Sequence, residues 1–147
     1  ALPIYLLKKP FLNNQDVRDL IPQKTPFVMI DKMYYFSVDK VVSGFTISEE
    51  NIFSFNSLFT ASGLIENMAQ TVALHTGYQY FLKNEPAPIG YIGAIKKVEI
   101  MEFPKVNDSL KTTVFIVHEI MGFTIVKSQV ACNGKIIARS EMKTVLA

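Results

Sequence analysis

Apolar positions along this chain follow two different periods. From Ala61 to about His75, the residues Leu64, Ile65, Met68, Ala69, Val72 and Ala73 recur at three- and four-residue spacing, the repeat of a helix with a buried face. Thr60 or Ser62 is placed to cap its start, and Gly77 predicts its end. Glu66 is the only acid between Ala61 and Gly77, so a helix this apolar should be wrapped on most sides by sheet. After Pro86 and Pro88 the pattern changes. Tyr91–Met101, Ser109–Met121, Phe123–Cys132 and Lys135–Leu146 are rich in Val, Ile, Thr and Phe and read as long strands. Asn133-Gly134 is a two-residue hairpin signal between the last two, and Gly122 marks a turn before Phe123. Upstream the elements are shorter. Val17, Leu20 and Ile21 make a turn or two of helix stopped by Pro22, and Phe27–Ile30 reads as a buried strand or extended segment. Met33–Phe36 and Val41–Ile47 flank Ser37–Lys40 as a hairpin. From Asn51 to Thr60 no period holds.

Short strands, one long buried helix and then long antiparallel strands predict an α+β domain. No repeat, linker or low-complexity tract divides the 147 residues, so residues 1–147 are read as one domain. With 49% hydrophobic and 19% charged residues, the chain is globular rather than disordered. A net charge of +2 without any basic run gives no footing for nucleic acid. No apolar stretch reaches the roughly 18 residues of a membrane span. The apolar run Ala1–Leu7 precedes Lys8 and Lys9, the reverse of a signal peptide. The single Cys132 excludes an intrachain disulfide framework and fits a reducing cytoplasm. One cysteine and two histidines are too few for a zinc site, and no cofactor is implied.

Three stretches resemble the 3-hydroxyacyl-acyl-carrier-protein dehydratases. Leu20-Ile21-Pro22-Gln23-Lys24-Thr25-Pro26-Phe27 is similar to that family's Leu-Pro-His-Arg-x-Pro-Phe lead into its first strand. Leu64-Ile65-Glu66-Asn67-Met68-Ala69-Gln70 is similar to the Glu-x-x-Ala-Gln stretch of its central helix. Ala94–Val98, Phe103-Pro104 and Val106–Leu110 are similar to its strand, proline and turn. The resemblance runs from about Val17 to the C-terminus and implies the hotdog fold, a curved antiparallel sheet wrapped around a long central helix. Two departures stand out. Where the family carries Gly-His-Phe-Pro-Gly before the helix, this chain has Ile52–Phe59 with no histidine, and Gln23 stands where the family usually has one. In this it is closer to the divergent dehydratase-like proteins of aryl-polyene and flexirubin clusters, whose helix pattern Glu66, Met68-Ala69-Gln70 and His75 follow.

Removing water from a 3-hydroxyacyl thioester takes a base for the α-proton, an acid for the leaving hydroxyl and polarisation of the carbonyl. The resemblance assigns the acid to Glu66. The N–H groups of Ala61, Ser62 and Gly63 at the helix start carry the partial positive charge that would polarise the carbonyl. Gln70 either binds ligand or orients a loop, and Phe53, Phe55 and Phe59 either line an acyl tunnel or seal the core. The base is missing. His75 lies nine residues beyond Glu66, about 900° of rotation and ~13.5 Å of rise, on the opposite helix face. It reads instead as a C-terminal residue favoured by the helix dipole. His118 reads as a structural residue on a strand facing as Val114, Ile116 and Ile120 do.

The resemblance implies an acyl carrier protein with a phosphopantetheine-linked chain as partner, met by Lys96, Lys97, Lys105 and Lys127 or by none of them if these are ordinary solvated lysines. It also implies a dimer, either of this chain or with a related hotdog subunit that retains the histidine. A non-catalytic acyl-binding subunit and a hotdog thioesterase using Glu66 alone are the alternatives.

Overall fold

A computed structural model of the chain describes residues 9–146; the readings made on Ala1–Lys8 lie outside them. The described chain opens with β1 (Leu12–Asn13) and α1 (Asn14–Arg18), then β2 (Lys32–Ser37) and β3 (Lys40–Thr46). A small hairpin of β4 (Ser54–Phe55) and β5 (Leu58–Phe59) leads into the helix α2 (Ala61–Leu82). Four long strands follow: β6 (Gly90–Ile100), β7 (Ser109–Ile120), β8 (Phe123–Cys132) and β9 (Lys135–Leu146). Seven strands form one antiparallel sheet in the order β1-β2-β3-β7-β8-β9-β6. The chain therefore leaves β3, crosses the sheet as α2 and returns at the far edge as β6.

The two-residue turns follow from local chemistry. Met121 and Gly122 have φ of 50° and 82°, and Asn133 and Gly134 have 52° and 76°, the paired left-handed residues that match the twist of a hairpin. Leu64, Met68 and Leu74 of α2 are fully buried against Val114, Val126, Val130 and Met142 of the sheet, each such side chain contributing about 1.5–3 kcal/mol. Among the described residues no helix is long and apolar enough to cross a membrane.

Three expectations need correction. The helix does not stop at Gly77 but continues to Leu82, ending where Asn84 turns left-handed at φ 56°. Gly77 is buried inside it, and a Cβ there would lie 1.9 Å from the carbonyl oxygen of Leu20. Its lack of a side chain lets the segment after α1 lie directly on the helix. At the other end Thr60 is the N-cap residue, yet neither its side chain nor that of Ser62 makes a cap bond; the Thr60 backbone is held instead by its N–H to Phe53 O at 2.9 Å. Finally, Asn51–Thr60 is not patternless. Asn56 and Ser57 take φ of 51° and 65° and fold β4 onto β5, and Phe59 N–H donates to Pro104 O at 2.8 Å. The pattern was hidden because Asn-Ser is a weaker turn signal than Asn-Gly and the strands are only two residues long.

The contact at Gly77 makes a stability prediction. Gly77→Ala should destabilise the protein by about 1–3 kcal/mol in urea unfolding, because backbone must shift to admit the methyl group, although alanine is the better helix former.

Candidate functional site

The geometry around Glu66 begins with a segment that lacks a strand partner. Val28–Ile30 runs over α2 but joins no strand; Met29 and Ile30 are fully buried, whereas Phe27, expected to be buried with them, sits in a bend and is exposed. Two amide side chains of α2 take the place of the missing neighbour. Gln70 Oε1 accepts from Met29 N–H at 2.7 Å, and Gln70 Nε2 donates to Phe27 O at 2.8 Å. Asn67 Nδ2 donates to Met29 O at 2.8 Å. Asn67 Oδ1 in turn accepts from the Thr112 hydroxyl of β7 at 2.6 Å. Thr71 donates to Asn67 O at 2.7 Å, and its oxygen lies 2.7 Å from that of Ser43 on β3. All five side chains are fully buried. Gln70 Nε2 also donates to Glu66 Oε2 at 2.9 Å, so the only acid between Ala61 and Gly77 is tied into this network.

Glu66, half-buried, lines a cleft of about 280 Å³. Ala69, Val72, Ala73, Thr76 and Gly77 continue it along α2, a stripe about 16 Å long from Glu66 to Gly77. Leu20, Pro22 and Gln23 form one wall, and Gly90, Tyr91 and Ile92 of β6 form the other. A hollow of about 330 Å³ on the outer sheet face is more open, and its Lys97 and Glu99 are already paired at 2.9 Å. The Glu66 cleft sets a carboxylate of the central helix beside a mostly apolar wall.

The other residues singled out from sequence are dispersed. Ala61 and Ser62 lie at the open helix start, where no described residue accepts from their N–H groups or that of Gly63. Gly63 is buried over the ring of Phe59, which its Cβ would meet at 2.5 Å. Phe59 is fully buried and packs 5.9 Å from Phe45, whereas Phe55 is 71% exposed; neither lines the cleft. Gln70 is also off the cleft lining, and it orients the Phe27–Met29 segment. Lys96, Lys97, Lys105 and Lys127 are exposed. His118 is exposed as well, turned by a register shift between Ile116 and His118 in the β7–β8 pairing. Asn67, Thr71, Thr112 and Ser43 were not singled out. The available signal was an asparagine on a buried helical face, a position that is costly unless its amide is bonded.

A strongly curved sheet around one long helix is the hotdog fold, and solved structures agree. The dehydratase heterocomplex ApeI:P from Xenorhabdus doucetiae contains a chain that superimposes with a TM-score of 0.83 at 17% identity, over 89% of this chain and 90% of that one. A hypothetical thioesterase from Streptococcus pneumoniae with coenzyme A gives 0.63 at 10% identity, over 78% and 84%. At such identities these likenesses establish the fold. The family is set by sequence: residues 15–146 match the model of the ApeP-like dehydratases, described as ApeP dehydratase, and the chain belongs to that family. It is also 26% identical over 140 residues to a 3-hydroxyacyl-[acyl-carrier-protein] dehydratase FabZ of Clostridium botulinum, covering 92% of this chain and 96% of that protein.

His75 has a different place from the one its position suggested. Because α2 continues to Leu82, the residue is interior and buried rather than at a helix end. Its Nε2 lies 2.9 Å from Ser37 O, so that nitrogen is the donor, and its ring stacks on Phe36 at 5.0 Å. Burial lowers its pKa below the ordinary 6.5, outweighing the backbone bonds at Ser37 and Val38 and the charges of Glu119 and Asp39. Below pH 6.5 the unfolded chain therefore binds a proton that the folded one resists, and stability falls with falling pH. Urea unfolding across about pH 5 to 8 should show this loss in the native protein. It should be weaker in His75→Gln, which has no proton to take up.

Proposed function

We propose that this chain supplies the carboxylate half of a site that dehydrates 3-hydroxyacyl thioesters carried on acyl carrier protein in fatty-acid or polyene-type synthesis. A related hotdog subunit supplies the base. The observation that carries this reading is Glu66 at one end of an apolar cleft whose lining includes no histidine. His75 bonds the β2–β3 turn on the other side of α2.

The chemistry then divides between two chains. The partner's base takes the α-proton, the C–O bond breaks as Glu66 gives its proton to the leaving hydroxyl, and the double bond forms with release of water. The unbonded N–H groups at the start of α2 polarise the thioester carbonyl as enolate charge grows. The cleft wall is β6, the last strand of the sheet, and Tyr91, Ile92 and Ile95 on it are exposed. A long apolar edge calls for a covering partner. A subunit seated there reaches the mouth of the Glu66 cleft. The heterocomplex named for the ApeI:P relative and the carrier substrate named for the FabZ relative support both parts of the reading. The same lack of a base within the cleft favours one competing reading, a subunit that binds or braces acyl chains without catalysis.

Reconstitution separates these. Alone, the purified chain should dehydrate 3-hydroxyacyl carrier-protein thioesters poorly or not at all. Joined to a histidine-bearing hotdog subunit it should turn over, with Glu66→Ala lowering the rate by about 100-fold or more. Robust turnover by the chain alone, abolished by Glu66→Ala, would remove the need for a partner. Unchanged turnover of the mixed dimer in Glu66→Gln favours the non-catalytic subunit. Thiol release without a partner marks a thioesterase instead.

A further inference from the structure

We propose that Asn67 and Gln70 are positioning residues that aim the Glu66 carboxylate, with neither touching substrate; this rests on the reading of Glu66 as the site's carboxylate.

The orientation of both amides is forced by backbone. Met29 N–H can only donate, so the Gln70 atom 2.7 Å away must be its oxygen. Phe27 O can only accept, so the Gln70 atom facing it must be nitrogen. With both of these settled, the second N–H of Gln70 has one acceptor left, Glu66 Oε2. Both of its hydrogens are then spent, and full burial keeps it off any ligand. Because Oε2 accepts this bond, a proton on Glu66 sits on Oε1, the oxygen left free for the cleft that Glu66 lines. A fixed choice of oxygen is what a general acid needs for a short, aligned transfer to a leaving hydroxyl.

Asn67 holds the same residue by its carbonyl, in the next peptide unit. Met29 O requires an N–H, so Asn67 Nδ2 faces it, and Asn67 Oδ1 is then turned to the Thr112 hydroxyl of β7. A continuous path of bonds thus runs from the sheet through Thr112, Asn67, Met29 and Gln70 to Glu66. The links from Thr112 to Gln70 are buried, where a lost partner strands a polar group at about 1–3 kcal/mol, and the last one, to Glu66, is part-buried at the cleft. The carboxylate is therefore referenced to the sheet and not only to its own helix.

Two measurements test this. In the active mixed dimer, Gln70→Met should lower kcat on the order of 100-fold with KM unchanged, and should have no further effect in a Glu66→Gln background, since Gln70 acts through Glu66. Equal losses in both backgrounds, or a raised KM with unchanged kcat, would overturn the proposal, the latter by making Gln70 a binding residue. If Gln70→Met does not fold, Gln70→Ser removes the donor to Glu66 while leaving room for water to bond Met29 N–H and Phe27 O, and the same pattern is expected. The second measurement needs no activity. In a crystal structure of Gln70→Met, or of Asn67→Leu, which is of similar size and loses the donor to Met29 O, the Glu66 carboxylate should leave its single orientation while α2 stays in place. A carboxylate that does not move in either variant sinks the proposal. An inactive native mixed dimer counts against the dehydration reading instead, and the variant structures still decide this one.

Discussion

Burying Met29 and Ile30 against the central helix leaves Met29 N–H and C=O with no strand to pair with, and the site is built on how that is resolved. An unmade bond at either group costs about 1–3 kcal/mol. Gln70 and Asn67, three residues apart on one face of α2, supply the acceptor and the donor, respectively, that a neighbouring strand would have supplied to Met29. The same two side chains set the rotation of the helix. At about 100° per residue, Glu66, Ala69, Ala73 and Gly77 fall on one side of the clamp and face the cleft. Leu64, Met68, Thr71 and His75 fall on the other side, among the buried residues. The line between cleft face and buried face is drawn by two amides.

The fold was legible where periodicity and turn chemistry are local. Asn133-Gly134 places the β8–β9 turn to the residue, and the four long strands begin and end within a residue of their patterns. The core of α2 was equally plain in Leu64, Met68 and Val72. What sequence could not supply was tertiary. A glycine after a periodic run reads as a stop, and only the Leu20 carbonyl pressed on Gly77 shows why one stands mid-helix. His75 inherited that error, since a residue near a helix end and one stacked under Phe36 call for different electrostatics. Phe55 and Phe59 belong to one short hairpin yet have opposite fates, exposed and buried, because β4–β5 sends alternate side chains to opposite sides.

The candidate site was legible in part and for an uneven reason. Glu66 could be found because a single acid in a long apolar helix is expensive without a use or a partner. It turns out to have both a partner, Gln70, and a cleft. Asn67 obeyed the same logic but was read past, since its neighbours matched a familiar stretch and its bond to Thr112 joins a helix to a strand far away in sequence. The alternatives for Gln70, ligand or loop, could not be separated by a helical wheel, because Met29 and Phe27 reach it from some forty residues away.

The division of parts around the helix explains how a dehydratase-type domain can lose the loop histidine without losing its carboxylate. The Ile52–Phe59 loop governs how α2 starts: Phe53 O takes the Thr60 N–H, and Phe59 fills the space under Gly63. Glu66 is held by none of these. Its bond is to Gln70, and Gln70 is held by Phe27 and Met29 from the segment before β2. The loop that lacks the family's histidine and the clamp that holds Glu66 are thus independent structures meeting on one helix. A change in the first leaves the second intact. Because the cleft's second wall is the unpaired edge of the sheet, the geometry that survives is one that another subunit can complete from outside.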